Sequence, residues 1–281
     1  MRTGMNPLRN SAAPAKAPGV ITAVITHLPN QIGYHKERLA IVKGSLLSMR
    51  ENAGIKCAIL VWDNGSCDEL RDWLINKYRP TYLMLVPNIG KGAAKAGILR
   101  TFPPETIIGI SDDDMLFYRG WLDEQVKLIH HYPNVGAVTG YPCRSMMKNN
   151  GSTLSWAKEN SCEIKTGRFM PDEWEIDYAE STGMDPQAWL EETQRDLDTL
   201  IEYQGMKAYA TAHHCQAVYI AGKMAPLTAW DSMAAAAEGP WDEAIDKAGF
   251  LRLATVERLC RHMGNSIDPK LRKELEGMGL L

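Results

Sequence analysis

The sequence predicts an α/β fold, a Rossmann-like and mostly parallel sheet flanked by helices, with an insertion in its second half. Three observations predict it. Short apolar, β-branched runs alternate with amphipathic stretches from residue 19 to about residue 139. Single helices separate these runs, which implies parallel β-α-β units with right-handed crossovers. Each run ends in a polar cluster, and ligands of such sheets sit outside the carboxyl ends of the strands.

Residues 19–25 form the first strand, an apolar run suited to burial on both faces. A helix from about His35 to Asn52 places Leu39, Val42, Leu46 and Met49 on one stripe, and Gly54 stops it. Residues 57–62 are a second buried strand ending in Asp63-Asn64-Gly65-Ser66, followed by a helix carrying Leu70, Trp73 and Leu74. The third strand, 82–86, ends at Pro87-Asn88-Ile89-Gly90, ahead of a small-residue helix through Ala93, Ala94 and Ala96. A fourth strand, 106–110, delivers the chain into Asp112, Asp113 and Asp114. Leu122, Val126 and Ile129 mark a further helix, and 135–139 a fifth strand. From 143 to 212 the alternation breaks down into a polar, net acidic stretch with Trp156, Phe169, Trp174 and Tyr178 interspersed. One helix is expected there, capped by Asp185 and opened by Pro186, with Leu190, Leu197 and Leu200 inside it. A strand at 217–220, a helix from about Pro240 to Gly249 and a strand at 251–256 complete the pattern.

Bulk properties exclude several classes. With 281 residues, core size is not limiting, and 45% hydrophobic with 23% charged residues is ordinary globular composition. A net charge of −3 offers no general attraction for nucleic acid or membranes. No apolar run approaches the ~20 residues that span a bilayer. Residues 1–18 read as a polar, Ala/Pro-containing disordered tail without a signal-peptide core. Six scattered cysteines without a Cys-x-x-Cys pair point to reduced thiols and a cytoplasmic setting.

The chemistry gathers at the strand ends. Three carboxylates at 112–114 repel one another unless a cation sits among them, and oxygen ligands on a loop suit Mg²⁺ or Mn²⁺. Alone, such a triplet reads first as a solvated acidic turn or a calcium loop; behind a buried strand, in a row of polar strand ends, it points to a metal site. Asp63-Asn64-Gly65-Ser66 is either a turn or a place where a carboxylate meets a bound nucleotide and Gly65 admits backbone. Asn88-Ile89-Gly90-Lys91-Gly92 opens a helix whose N–H groups and Lys91 could face a phosphate, without the ending of a P-loop. Thr26 and His27 occupy the first strand end. His213-His214-Cys215, read as strand, would point to opposite faces and so would not converge on one ion.

The order strand–Asp-Asn-Gly-Ser, then Asn-x-Gly before a helix, then strand–Asp-x-Asp resembles the family 2 glycosyltransferases of the GT-A fold. The resemblance covers roughly residues 19–141, with a looser second match at about 217–265. It implies a nucleotide-diphosphate sugar as co-substrate, near Thr26, His27, Asp63, Asn88, Gly90, Lys91, Asp112 and Asp113. It implies Mn²⁺ or Mg²⁺ held by Asp112 and Asp114, with His262 as a third ligand. The late helix would supply a general base, for which Asp242, Glu243 and Glu238 are all candidates, with Asp242 preferred. The implied reaction is metal-dependent and inverting transfer to a saccharide or other hydroxyl acceptor, with a modified nucleic-acid base ranked lower. Residues 19–281 then read as one catalytic domain: a nucleotide-sugar half (19–141), an acceptor half (142–265) holding the insertion 143–212, and a C-terminal tail or helix (266–281). The rival readings are a sugar-phosphate nucleotidylyltransferase and a non-catalytic nucleotide-sugar or saccharide-binding module. The first usually needs a Gly-rich, basic loop after the first strand, where this chain has Thr26-His27-Leu28-Pro29-Asn30.

Overall fold

A computed structural model describes Gly4, residues 19–228 and residues 238–281. The tail expected at 1–18, Gly4 apart, and the Ala-rich patch at 234–237 lie outside the described residues. The first half alternates strand and helix. It runs β1 (Val20–Thr26), α1 (Arg38–Glu51), β2 (Ala58–Asn64), α2 (Asp68–Trp73), β3 (Tyr82–Val86), α3 (Lys91–Thr101), β4 (Ile107–Asp112), β5 (Met115–Phe117), α4 (Trp121–His131) and β6 (Val135–Thr139). Then follow α5 (Gly151–Glu159), β7 (Glu163–Gly167), α6 (Asp172–Thr182), α7 (Pro186–Glu192), β8 (Asp198–Tyr203) and β9 (Met206–Tyr209). The chain closes with β10 (Gln216–Ile220), α8 (Ala221–Met224), α9 (Glu238–Lys247), β11 (Leu251–Ala254), β12 (Cys260–His262) and α10 (Pro269–Gly277).

One sheet has the order β3-β2-β1-β4-β10-β6-β11-β9-β8-β7. Its first four strands are parallel, as are β6 and β11, whereas β10, β9 and β7 run against the others. The period-two alternation of β1 divides its side chains between two cores. Ile21, Ala23 and Ile25 pack with Ala94 and Ile98 of α3, while Val24 packs on the opposite face with Val42, Leu46 and Met49 of α1 and Trp121 of α4. β1 is thereby covered on both sides, as are β2 and β4, which is why these strands read as nearly continuous apolar runs.

Two departures from the sequence reading have clear causes. The helix expected to hold Leu197 and Leu200 ends at Glu192, and Leu200 lies in β8. Its capped start is as expected, since Asp185 accepts from the Ala188 amide at 2.7 Å. Beyond it, the β8–β9 hairpin takes over through a two-residue turn in which Gln204 and Gly205 both have positive φ, 48° and 84°. The second departure is the small antiparallel pair β5–β12, unexpected because three-residue strands leave no readable periodicity. The C-terminal segment is helical. Asp268 caps α10 by accepting from Leu271 N at 2.7 Å, and Leu271 and Leu275 pack on Ile41, Leu116 and Met263.

Trp121 is 1% exposed, stacks obliquely on Phe117 at 4.5 Å and donates its indole N–H to Met49 O at 3.1 Å, joining α4 to α1. Trp121→Ala is expected to cost about 3–5 kcal/mol. Urea unfolding monitored by far-UV circular dichroism checks this, and a midpoint equal to that of the wild type would contradict the packing described.

Candidate functional site

The ends of β1, β2 and β4 and the start of α3 surround a cleft of about 380 Å³, lined among others by His27, Asn64, Asn88, Lys91, Asp112 and Asp114. Its floor is built by cross-strand bonds. Asn64 Oδ1 accepts from Ile89 N at 3.0 Å and Asn64 Nδ2 donates to Asn88 Oδ1 at 3.1 Å, while Asn88 Oδ1 also accepts from Gly90 N at 2.9 Å. The two loops come so close that a Cβ on Gly65, whose φ is +88°, would lie 3.0 Å from Asn88 N. Asn64 is thus a structural hub of the cleft that motif reading left in the shadow of its neighbour.

Asp63 and Thr26 are both 0% exposed and lie behind the cleft wall. Asp63 accepts from Thr26 Oγ1 at 3.1 Å, from Arg71 Nε at 2.8 Å and from the Ser66 amide at 3.3 Å. A buried carboxylate so fully bonded is rigid, and it sets the turn from which Asn64 faces the cleft.

The acid triplet is neutralised by the chain's own cations. Lys91 Nζ sits 2.7 Å from Asp112 Oδ1. Arg38, the first residue of α1, spans the other two carboxylates: one nitrogen pairs with Asp113, and Nη1 donates to Asp114 Oδ2 at 2.7 Å and to Gly264 O at 3.1 Å. Asp113 Oδ2 also accepts from His27 N at 3.1 Å. Burial pushes the Asp113 carboxyl above its ordinary range in spite of Arg38. Burial acts the same way on Asp114, but the neighbouring His262 and Arg38 outweigh it and hold Asp114 below that range. The cation expected among the carboxylates is therefore in part Arg38, which the sequence reading did not single out. One signal pointed to it: a cation in the first turn of a helix opposes the macrodipole and needs a local reason.

A divalent metal fits the side chains that remain. Asp114 Oδ1 is buried with no hydrogen-bond partner among the described residues. His262 Nε2 stands 3.6 Å from Asp114 Oδ2, while its Nδ1 bonds to Ser181 Oγ at 2.8 Å. A ring fixed through one nitrogen, with the other turned to a carboxylate, is the arrangement a metal-binding histidine needs. Asp114 and His262 are thus brought together, whereas Asp112 faces Lys91.

The late carboxylates separate clearly. Asp242 is buried; its Oδ2 accepts from His214 Nδ1 at 2.8 Å, and its Oδ1 lies 2.9 Å from Arg252 Nη2. Glu243 is exposed and pairs with Lys247 one turn on, at 2.9 Å. Glu238 opens α9, and its side chain lies outside the described residues. His213, His214 and Cys215 occupy the turn before β10, not a strand, so the expectation that they point apart is corrected: their ligand atoms lie within 4.8 Å of one another. Both Nδ1 atoms are nevertheless engaged, His214 with Asp242 and His213 with the Cys215 amide at 3.2 Å. All six cysteines are free thiols, and among the described residues no helix is long and apolar enough to cross a membrane.

Among known proteins, a search of the curated ones finds no match. Among solved structures, the chain is similar to the mannosyltransferase PcManGT from Pyrobaculum calidifontis, in complex with GDP-Man and Mn²⁺, at 26% identity over 47% of this chain and 38% of that one, with a TM-score of 0.33. It is similar to TarS from S. aureus at 12% identity over 87% of this chain and 60% of that one, with a TM-score of 0.46. A third is glucosyl-3-phosphoglycerate synthase from Mycobacterium tuberculosis, in complex with Mn²⁺, UDP and glucosyl-3-phosphoglycerate, at 18% identity over 50% and 51% of the two chains, with a TM-score of 0.34. The chain thus spans less than two thirds of the length of each of these neighbours. The profile of Glycosyl transferase family 2 matches residues 32–189, from the loop before α1 through β4 and the acid triplet into α7. That match covers more than half of the sequence, and the chain belongs to glycosyl transferase family 2.

Proposed function

We propose that the protein transfers a sugar from a nucleotide-diphosphate sugar to an acceptor hydroxyl, with a divalent metal at Asp114. The observation that carries this is the unpartnered, buried Asp114 Oδ1 beside His262, at the end of a strand that opens into the cleft. Membership of the family supports the reaction class. Mn²⁺ or Mg²⁺ held by Asp114 and His262, with Asp112 nearby, would stabilise the charge growing on the departing nucleoside diphosphate.

The chain's own residues complete the donor site. Gly90 and Lys91 place the amide end of α3 and an ammonium at the cleft, where a diphosphate would be bound. Asn64 and Asn88 tie the β2 and β3 loops together at the edge of the cleft, where a nucleoside would lie, with Asp63 and Thr26 behind them. His27 lines the same cleft, and its Nδ1 is held 2.9 Å from Asn64 O. Arg38 keeps Asp113 and Asp114 oriented, with Asp113 tied to the His27 amide and Asp114 turned toward His262. Transfer with inversion at the anomeric carbon is part of the proposal, and membership of the family supports it.

Asp114→Ala is expected to reduce metal-dependent turnover at least ~10²-fold, the scale on which loss of one preorganised charge-stabilising group is felt. A panel of nucleotide sugars, assayed for hydrolysis and transfer with Mn²⁺ and again with EDTA, checks this; wild-type turnover in the variant, or in EDTA, would end the metal assignment. Lys91→Ala should raise the donor KM by about tenfold or more, the equivalent of ~1.4 kcal/mol for one charge-assisted phosphate contact, with acceptor KM unchanged. Steady-state kinetics with each substrate varied in turn measures the two constants.

A further inference from the structure

Backbone pairing fixes where His262 stands but not how its ring is turned. β12 pairs with β5 in a register that sets His262 opposite Met115, and the Met263 amide donates to Asp114 O at 2.8 Å. The imidazole is thereby carried to the acid triplet, with Nε2 3.6 Å from Asp114 Oδ2. Rotation about the side-chain bonds remains, and with it the choice of which ring nitrogen faces the carboxylate.

A residue of the segment 143–212 removes that freedom. Ser181 lies in the last turn of α6, and its Oγ is 2.8 Å from His262 Nδ1. The same hydroxyl donates to Tyr178 O at 2.7 Å, one turn back along the helix. A hydroxyl has one proton to give. With that proton on the Tyr178 carbonyl, Oγ accepts from the ring, so the hydrogen of a neutral imidazole lies on Nδ1. Nε2 is then the nitrogen turned to Asp114 and left to bind a metal.

The helix that offers this hydroxyl is itself held against β12. Asp177, one turn before Ser181, is buried and pairs with Arg258 at 2.8 Å and with Lys270 of α10. Arg261, next to His262 in β12, lies 3.6 Å from the same carboxylate. Gly264 has a φ of +75°, and a Cβ there would run into Ser181 O, so the two backbones are in direct contact. Ser181 Oγ is therefore presented from a fixed position, not from a mobile surface turn.

We propose that Ser181 is a positioning residue of the metal site, setting the tautomer and ring orientation of His262 so that Nε2 faces a divalent metal at Asp114. The proposal rests on the metal assignment made in the sugar-transfer reading above. It gives α6, and with it the segment 143–212, a part in binding the ion that no residue of that segment touches.

The test uses the full chain, with Mn²⁺ alone and Mn²⁺ with UDP or GDP as probes. Binding is read from the loss of the free-ion electron paramagnetic resonance signal, so no turnover is needed. Ser181→Ala should raise the Kd for Mn²⁺ by ~10–100-fold, the scale on which loss of an outer-shell partner of a metal-bound histidine is felt. Ser181→Thr keeps the hydroxyl and should bind as the wild type does. The double variant Ser181→Ala/His262→Ala should bind no more weakly than His262→Ala alone, because Ser181 acts only through the ring. An unchanged Kd in Ser181→Ala, a threonine variant as weak as the alanine one, or losses that add in the double variant would overturn the proposal and leave the metal assignment standing. A wild type that binds no Mn²⁺ with or without nucleotide would overturn the metal assignment and this proposal together.

Discussion

The guanidinium of Arg38 is the point on which the site depends. It is buried at the first turn of α1 and reaches Asp113 and Asp114 beyond β4 and the Gly264 carbonyl beyond β12. Three remote segments of the chain thus meet at one side chain. Adjacent buried carboxylates are mutually repulsive, and a buried guanidinium without partners is equally unfavourable, so neither set is stable in this place alone. Together with Lys91 on Asp112 they come close to charge balance. The energetic consequence is asymmetric: the assembled group contributes modestly, but loss of one member leaves a buried charge uncompensated, a cost of several kcal/mol.

That balance also explains how three identical side chains come to have different surroundings. Asp113 is tied to the His27 amide and to Arg38, so it faces the protein and ties β4 to β1. Asp112 is held by Lys91 at the start of α3. Asp114 retains an oxygen without a hydrogen-bond partner among the described residues, and it has a histidine beside it. Burial raises the Asp113 carboxyl above the ordinary range, whereas His262 and Arg38 hold Asp114 below it.

Much of this could be read from the chain before its structure. The strands β1, β2 and β4 are buried on both faces, so each is a continuous apolar run, and the polar residues that follow mark the sheet edge. What could not be read depends on partners remote in sequence. Arg38 looks like any helical arginine until Asp113 and Asp114 are brought against it. The β5–β12 pair is too short for a period, and it joins residues 115–117 to residues 260–262. The turn at 213–215 carries no Gly, Pro or Asn to mark it; it is closed by the Cys215 amide donating to His213 Nδ1. In 143–212, β8 was hidden by leucines whose spacing also fits a helix, and only the turn at Gln204-Gly205 decides the matter. Asp242 was recognised as a residue of interest, but its burial against Arg252 and His214 follows from the packing of α9 on β11 and not from any local pattern.

The antiparallel insertion of β10 between β4 and β6 has a consequence for biosynthesis. β4 leaves the ribosome with one edge paired to β1, and its other edge stays open until Gln216–Ile220 has been made, after the whole of the segment 143–212. Through that interval the nascent chain exposes a row of unpaired amides and carbonyls next to Asp112, the kind of edge on which chains associate wrongly.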